Sequence, residues 1–447
     1  VTARGLIVAG TGTGAGKTML TAALIRALVG AGKRVAAFKT GPDYIDPAHL
    51  SCALGARAAG ADAINLDSWA MTPDTLGALI AAHGRDADLV VGEGVMGLFD
   101  GARAPARDGF APGSTAELAH ILDLPVVLVL DGSGMGQSLA ATARGFVMHD
   151  SRIRVSGIIV NRIASEAHGR FLAEAIAVAL PEVPVLGLVP RLAALDIPSR
   201  HLGLIQAGEI ADLDRRFDTA AEAISSHIAL DELVALARPV TKSANAPAHL
   251  VPPLGNRIAV ARDDAFAFAY TSTLDAWRAA GAEITLFSPL SDEAPDSHAD
   301  AVYLPGGYPE LHAARLASAE CFRAGLASAA TRSAFIFGEC GGYMTLGRTL
   351  RDAEGRVHRM AGLLPVSCDF SQRKLHLGYR DARTLVTTPL GAAGTVFAGH
   401  EFHYARVVDE DGTPMFAAID AAGRDLGTMG RVSGRIAGSF VHIIAQR

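Results

Sequence analysis

Short apolar runs alternate with stretches of helical spacing along most of the chain, the pattern of parallel strands joined by helices. Leu6 to Ala9 predicts the first strand, and Met19 to Val29 the first helix, with Leu20, Ala23, Leu24, Ala27 and Leu28 on its apolar face. Arg34 to Lys39 predicts a second strand and the acid-flanked run from Asp88 to Glu93 a third. A helix over Ser114 to Leu122 opens with a capping box, Ser114 and Glu117. A strand at Pro125 to Leu130, a helix at Ser138 to Met148 and strands at Gly157 to Val160 and Val185 to Val189 complete a mostly parallel, doubly wound sheet.

Helical patterns end near Ala237, and Pro239 to Pro253 holds four prolines among small polar residues, which predicts a linker. A fresh α/β pattern then begins: strand Ile258 to Ala261, helix Thr271 to Ala280, strands Glu283 to Phe287, Ala301 to Leu304 and Ala334 to Phe337, and a helix over Tyr343 to Leu350. The expected organisation is a domain over 1–238, a linker over 239–255 and a second domain over 256–447.

Composition narrows the chemistry. The chain has 447 residues, half of them apolar, enough for sizeable cores. Its formal charge of −6 and the lack of any basic block point away from nucleic acid and anionic membranes, toward small-molecule partners. Cys52, Cys321, Cys340 and Cys368 are scattered without a CxxC pair, which argues against disulfides and structural zinc. The apolar runs are strand-sized and no basic segment precedes the first strand, so a cytoplasmic location is expected, with the assembly left open between monomer and homodimer.

The first chemical signal is Gly10-Thr11-Gly12-Thr13-Gly14-Ala15-Gly16-Lys17-Thr18, set between the first strand and the first helix. Glycines at 12, 14 and 16 remove side chains that would keep a phosphate from the backbone amides, Lys17 reaches the β- and γ-phosphates, and Thr18 ligates Mg²⁺. Strict spacing wants glycine where Thr11 stands, so this is a variant P-loop. Gly41-Pro42-Asp43-Tyr44-Ile45-Asp46-Pro47 leaves a strand of the same sheet, so Asp43 and Asp46 face either Mg²⁺ or the phosphate acceptor, or else cap the helix that starts near Pro47. Glu93, at the end of a buried strand, is the choice for the second side of Mg²⁺. Asp100 faces the acceptor or forms the turn before Gly101. Asn161 hydrogen-bonds either an adenine edge or its own backbone.

In the second half Gly338-Glu339-Cys340-Gly341-Gly342 stands at a strand-to-helix turn, the geometry of a nucleophile elbow with a thiol in place of a hydroxyl. The amides at the start of the helix would lower the thiol pKa, and the N–H of Gly341, with Gly306 and Gly307 from the end of a neighbouring strand, would bind an oxyanion. A thiol nucleophile needs a base, and among the histidines His442 stands at a strand end near the C-terminal end of the chain, while His400 and His403 sit in Gly399-His400-Glu401-Phe402-His403-Tyr404. His400 and His403 are three apart, so they do not form HExxH and a metalloprotease is disfavoured.

With these residues identified, the chain resembles the cobyrinic or hydrogenobyrinic acid a,c-diamide synthases of cobalamin biosynthesis over nearly its whole length. GTGTGAGKT, GPDYIDPAH and GEGVMGLFDG are similar to the dethiobiotin-synthetase-like P-loop domain of that family. LPGGYPEL, GECGGYM, GHEFHYA and GSFVH are similar to its class I glutamine amidotransferase domain, a flavodoxin-like α/β fold. The resemblance implies Cys340 as glutaminase nucleophile, His442 as its base, and Lys17, Thr18, Asp43, Asp46, Glu93 and Asp100 at ATP, Mg²⁺ or acceptor positions. In ordinary class I amidotransferases a Glu two residues past the histidine orients it. Here that place is Ile444, which implies a slower glutaminase.

The implied reaction is ATP- and glutamine-dependent amidation of two acetate side chains of a corrinoid, hydrogenobyrinate preferred, through acyl phosphates. Cobyrinate or a nickel sirohydrochlorin is the nearest alternative substrate, and a P-loop regulatory or partitioning ATPase the alternative of another class. Arg200, His201, Arg373 and Lys374 are candidates for binding the polyanionic substrate.

Overall fold

A computed structural model describes residues 3–55, 62–195, 199–200, 203–240 and 250–447. The chain divides into two compact units, Val1–Ala248 and His249–Arg447. No helix among the described residues is long and apolar enough to cross a membrane.

In the first unit the sheet runs, edge to edge, Ile64–Leu66, Val35–Thr40, Leu89–Glu93, Arg4–Gly10, Val126–Asp131, Val155–Ile163 and Val185–Pro190. All of these pairings are parallel. The strands are buried on both faces, as a parallel sheet covered by helices requires. On one face Leu6 and Val8 pack under Leu20, Leu24 and Leu28 of helix Lys17–Gly30, with Phe217 and Ile224 of helix Leu213–Ser225 in the same core. Because Arg4–Gly10, Val35–Thr40 and Leu89–Glu93 run side by side in one direction, their C-terminal ends deliver the glycine loop, the Gly41 loop and Glu93 to one edge.

The second unit carries a ten-stranded mixed sheet. Glu283–Phe287, Arg257–Ala261, Ala301–Leu304, Phe335–Glu339 and Ile436–Ser439 are parallel neighbours. Asp425–Ser433, Thr413–Asp420, His376–Thr384, Val396–His403 and Val441–Gln446 continue it antiparallel. This antiparallel half goes beyond the α/β pattern read from the sequence, since its strands mix exposed and buried positions without a clean alternation.

Three local expectations change. The helix after Cys340 is only Gly341–Leu346, because Gly347 ends it in extended backbone and Thr349–Arg351 begins a strand of a smaller sheet. The capping box is half formed: Ser114 accepts the N–H of Glu117, but the Glu117 carboxylate turns to the N–H of Gly113 and the hydroxyl of Ser68. The Pro239 to Pro253 stretch buries side chains at both ends. Arg238–Pro239 pairs with the first strand and Val240 is buried, while Val251 and Leu254 enter the core of the second unit. Residues 241–249 lie outside the described residues.

Gly92 faces Phe38 across the paired strands, and a methyl group there would enter the fully buried ring. Gly92→Ala is expected to destabilise the protein by about 1–3 kcal/mol in urea unfolding, and Phe38→Leu in the same chain to recover part of the loss. Equal midpoints for wild type and Gly92→Ala would contradict this.

Candidate active sites

The glycine loop closes because Gly14 and Gly16 adopt φ of 85° and 87°, a region that disfavours every residue with a Cβ. Gly16 then caps helix Lys17–Gly30. Gly10 lets the Lys17 stem fold back across the loop, since a Cβ there would lie 2.9 Å from Lys17 Cδ. Lys17 Nζ donates to the carbonyl of Gly12 at 2.9 Å. Asn161 Nδ2 donates to the Ala15 carbonyl at 3.1 Å, and Arg162 donates to the Gly14 carbonyl at 2.8 Å and to Asp131 at 2.7 Å. Three carbonyls of the loop are thus tied back. Asn161 braces the loop from below, and its Oδ1 accepts the N–H of Arg162, the own-backbone role that sequence left open for it.

Beside the loop lies a buried ion cluster that sequence reasoning missed. Lys39 Nζ contacts Asp46 Oδ2 at 2.5 Å, Glu93 Oε1 at 2.8 Å and the Gly94 carbonyl at 3.2 Å. Thr18 Oγ1 donates to Glu93 Oε1 at 2.6 Å, with Asp46 Oδ2 at 3.4 Å. A lone lysine near the end of an otherwise apolar strand was the available signal. Burial works against the Lys39 charge, but Asp46 and Glu93 outweigh it and hold the ammonium protonated. Burial pushes the Glu93 carboxyl up to about 7 despite Lys39, because Asp46 competes for the same ammonium. Lys39 bonds both carboxylates while Lys17 acts on them from the loop, and Glu93 Oε2 is left as surplus acceptor capacity.

That surplus fits Mg²⁺. Glu93 Oε2 is buried without a hydrogen-bond partner, beside Thr18 and Asp46. Asp43 is placed differently from Asp46: its Oδ1 accepts the N–H groups of Ile45 and Asp46 in the first turn of helix Ile45–Leu54, while burial and Asp46 push its pKa up to about 6. Asp46, rather than Asp43, stands beside Thr18 and Glu93. The Asp100 carboxylate accepts the N–H of Gly97 at 2.9 Å, the turn-forming alternative, and is exposed. Burial and then Lys39 lower the Lys17 pKa, with Glu93, Asp46 and Asp100 acting against them.

In the second unit Cys340 has φ 47° and ψ −101°, strained backbone for a side chain bearing a Cβ. Gly342 makes the strain possible: it packs directly against the Leu304 carbonyl, and its N–H donates to Pro305 at 3.0 Å. Gly341 lies against Gly307, whose N is 3.0 Å from the place of a Gly341 Cβ, so these two oxyanion candidates are neighbours. Gly306 has another use, because its missing Cβ leaves room for the His442 ring. Cys340 donates its backbone N–H to Ser439, whose strand leads to His442 three residues on.

The thiol is not activated at rest as the sequence suggested. Burial pushes the Cys340 pKa well up, Glu310 adds to this, and the hydrogen bond from Gly341 only partly opposes it. A helix of six residues is too short to overturn that. Burial, then His400 and His403, push His442 down to about 3, so it is a neutral imidazole able to accept a proton.

Near Cys340, whose thiol lies 3.9 Å from the Phe402 carbonyl, Glu401 binds Arg380 at 2.7 Å and His403 at 2.8 Å. His376 stacks on His403, so His376, Glu401 and His403 have ligand-like spacing. The Arg380 guanidinium on Glu401 makes this an ion network instead of a metal centre. Arg373 lies over the Phe370 ring, near Glu310, and the N–H of Lys374 donates to Tyr404. The Arg200 side chain and His201 lie outside the described residues.

Residues 6–205 match the model of the CobQ/CobB/MinD/ParA nucleotide binding domain, and residues 257–447 that of the CobB/CobQ-like glutamine amidotransferase domain. The hydrogenobyrinate a,c-diamide synthase of Brucella anthropi is 48% identical, over 99% of this chain and 98% of its own. That of Rhodobacter capsulatus is 48% identical, over 99% of each chain, and that of Mesorhizobium japonicum 46%, over 100% and 99%. Among solved structures, chloroplast FtsY of Physcomitrella patens is similar at TM-score 0.32 and 17% identity, over 49% of this chain and 66% of that one, too distant to carry an argument.

Glu310 supplies a pH test. Burial raises its pKa from 4.5 to about 7, so between those values the folded chain holds a proton that the unfolded chain releases. Its contribution is therefore fully present below pH 4.5 and is lost as pH rises through 7, on the order of 3 kcal/mol at most. Glu310→Gln is expected to flatten the fall in unfolding free energy between pH 5 and pH 8. An unchanged slope would mean that Glu310 is ionised throughout.

Proposed function

The chain belongs to the hydrogenobyrinate and cobyrinate a,c-diamide synthase family, and on that premise we propose that it amidates the a and c acetate side chains of a corrinoid, with ATP and glutamine as co-substrates. The observation that carries the reading is the 46–48% identity with hydrogenobyrinate a,c-diamide synthases along essentially the full chain. It favours the metal-free hydrogenobyrinate over its cobalt counterpart. The thiol at a strained elbow in the second unit supports an amidotransferase over a P-loop regulatory or partitioning ATPase.

A carboxylate resists attack by ammonia, so a side-chain oxygen first attacks the γ-phosphorus of ATP, ADP leaves, and an acyl phosphate forms. With the carbonyls of Gly12, Gly14 and Ala15 held back by Lys17, Arg162 and Asn161, the loop presents N–H groups to the phosphates. Lys17 swings from the Gly12 carbonyl to the charge growing on the phosphoryl oxygens. Thr18, Asp46 and Glu93 would hold Mg²⁺, which supplies further neutralisation of the β- and γ-phosphates when bound. Lys39 keeps Asp46 and Glu93 in place between turnovers. Asp43 sets the helix that carries Asp46, and Asp100 shapes the loop near Lys17.

In the second unit His442 takes the thiol proton as Cys340 sulfur attacks the glutamine amide carbon. The amide N–H groups of Gly341 and Gly307 face the resulting oxyanion. Ammonia leaves with the proton from His442, and water cleaves the thioester to glutamate. Ammonia then displaces phosphate from the acyl phosphate, and the sequence repeats on the second side chain.

Cys340→Ser should lower glutamine-dependent amidation by about 10³-fold or more while leaving turnover with ammonium salts near wild type. Lys17→Ala should lower turnover with either nitrogen source by at least about 10²-fold. Loss of both activities in Cys340→Ser, or near-normal turnover in Lys17→Ala, would refute the assignment of roles. Turnover of hydrogenobyrinate beside cobyrinate, followed by product mass, tests the substrate.

A further inference from the structure

His442 needs a partner that fixes its ring and balances the charge it gains from the thiol. The position two residues on offers none, since Ile444 is a buried hydrocarbon. The strand carrying the nucleophile does. Glu339 directly precedes Cys340, pairs in register with Ser439 and is 3% exposed. Its Oε1 accepts the N–H of Ile443 at 3.0 Å, the residue after His442. Its Oε2 accepts the Tyr303 hydroxyl at 2.7 Å and lies 3.9 Å from His442 Nδ1.

We infer that Glu339 is the positioning acid of the glutaminase, reaching His442 from the strand before the nucleophile in place of the acid absent at 444. This rests on the glutaminase reading of Cys340 and His442. The carboxylate is anchored at both oxygens and cannot rotate away from the ring. Gly306 lies close against the imidazole, which limits where the ring can go. The 3.9 Å separation exceeds a hydrogen bond, so Glu339, once ionised, acts on His442 through its charge and tightens onto Nδ1–H as the imidazolium forms.

Glu401 raises the His442 pKa, but its charge is already shared with Arg380 and His403. His400 and His403 also face His442, and both oppose its protonation. Glu339 itself faces Tyr303, His442 and Cys340. Burial raises the Glu339 pKa to about 7, and the bonds from Ile443 and Tyr303 hold it from rising further. Glutamine hydrolysis should therefore climb as pH rises through about 7, where Glu339 ionises.

The test uses the full-length enzyme, with glutaminase kcat and KM measured from pH 5.5 to 9. Glu339→Gln keeps the size and acceptor oxygen but not the charge. It should lower glutaminase kcat about 10- to 100-fold, leave KM for glutamine and ammonia-dependent amidation within about twofold, and abolish the rise near pH 7. Glu339→Asp should recover part of kcat and restore the rise. Tyr303→Phe removes a donor that lowers the Glu339 pKa, so the rise should move to higher pH. That variant keeps the question open to refutation if Glu339→Gln fails to fold. Wild-type kcat and pH profile in Glu339→Gln, or an unmoved profile in Tyr303→Phe, would overturn the inference. Hydrolysis surviving in Cys340→Ser would instead overturn the glutaminase reading.

Discussion

The first unit depends on charge removed from water at the ends of its parallel strands. Lys39, Asp46 and Glu93 meet where three strands finish, and none of them would be tolerable alone in that setting. Two carboxylates around one ammonium keep the cluster in place. Glu93 Oε2 is left there without a hydrogen-bond partner, an acceptor of the kind a divalent cation needs. The glycine loop beside it is organised to the same end, with its carbonyls drawn back by Lys17, Asn161 and Arg162.

The second unit meets a related demand with strain and neutral groups. Cys340 is held in a backbone region that costs energy, and glycines at 341 and 342 let neighbouring backbone close around it. Its surroundings at rest disfavour both the thiolate and the imidazolium, because Cys340 is pushed up and His442 down. A nucleophile in such a pocket is quiet until substrate arrives and the proton has somewhere to go.

Much of this was readable in the residues. The glycine loop, the Gly41 to Pro47 loop, Glu93 and the Cys340 turn stood out because each breaks an apolar strand with a residue type that packing does not want. Lys39 did not stand out, since a single lysine in a strand also reads as an edge residue, and only burial on both sides reveals its counter-ions. Asp43 and Asp46 could not be separated by sequence, because either can cap a helix; the helix begins at Ile45, so its first N–H groups fall to Asp43. The antiparallel half of the second sheet escaped notice because its strands lack a clean alternation.

By itself the sequence determined the two α/β units, the P-loop and the thiol elbow, because glycine spacing and apolar periodicity act over a few residues and follow from local sterics. Only the tertiary structure decided which charges meet. Glu339 and His442 are about a hundred positions apart, and Lys39 and Glu93 about fifty, yet parallel pairing sets Glu339 beside Ser439, three residues before His442, and Lys39 beside Glu93. Register between distant strands is set by the whole sheet. The partner of a buried charge is therefore written in no single stretch of the chain.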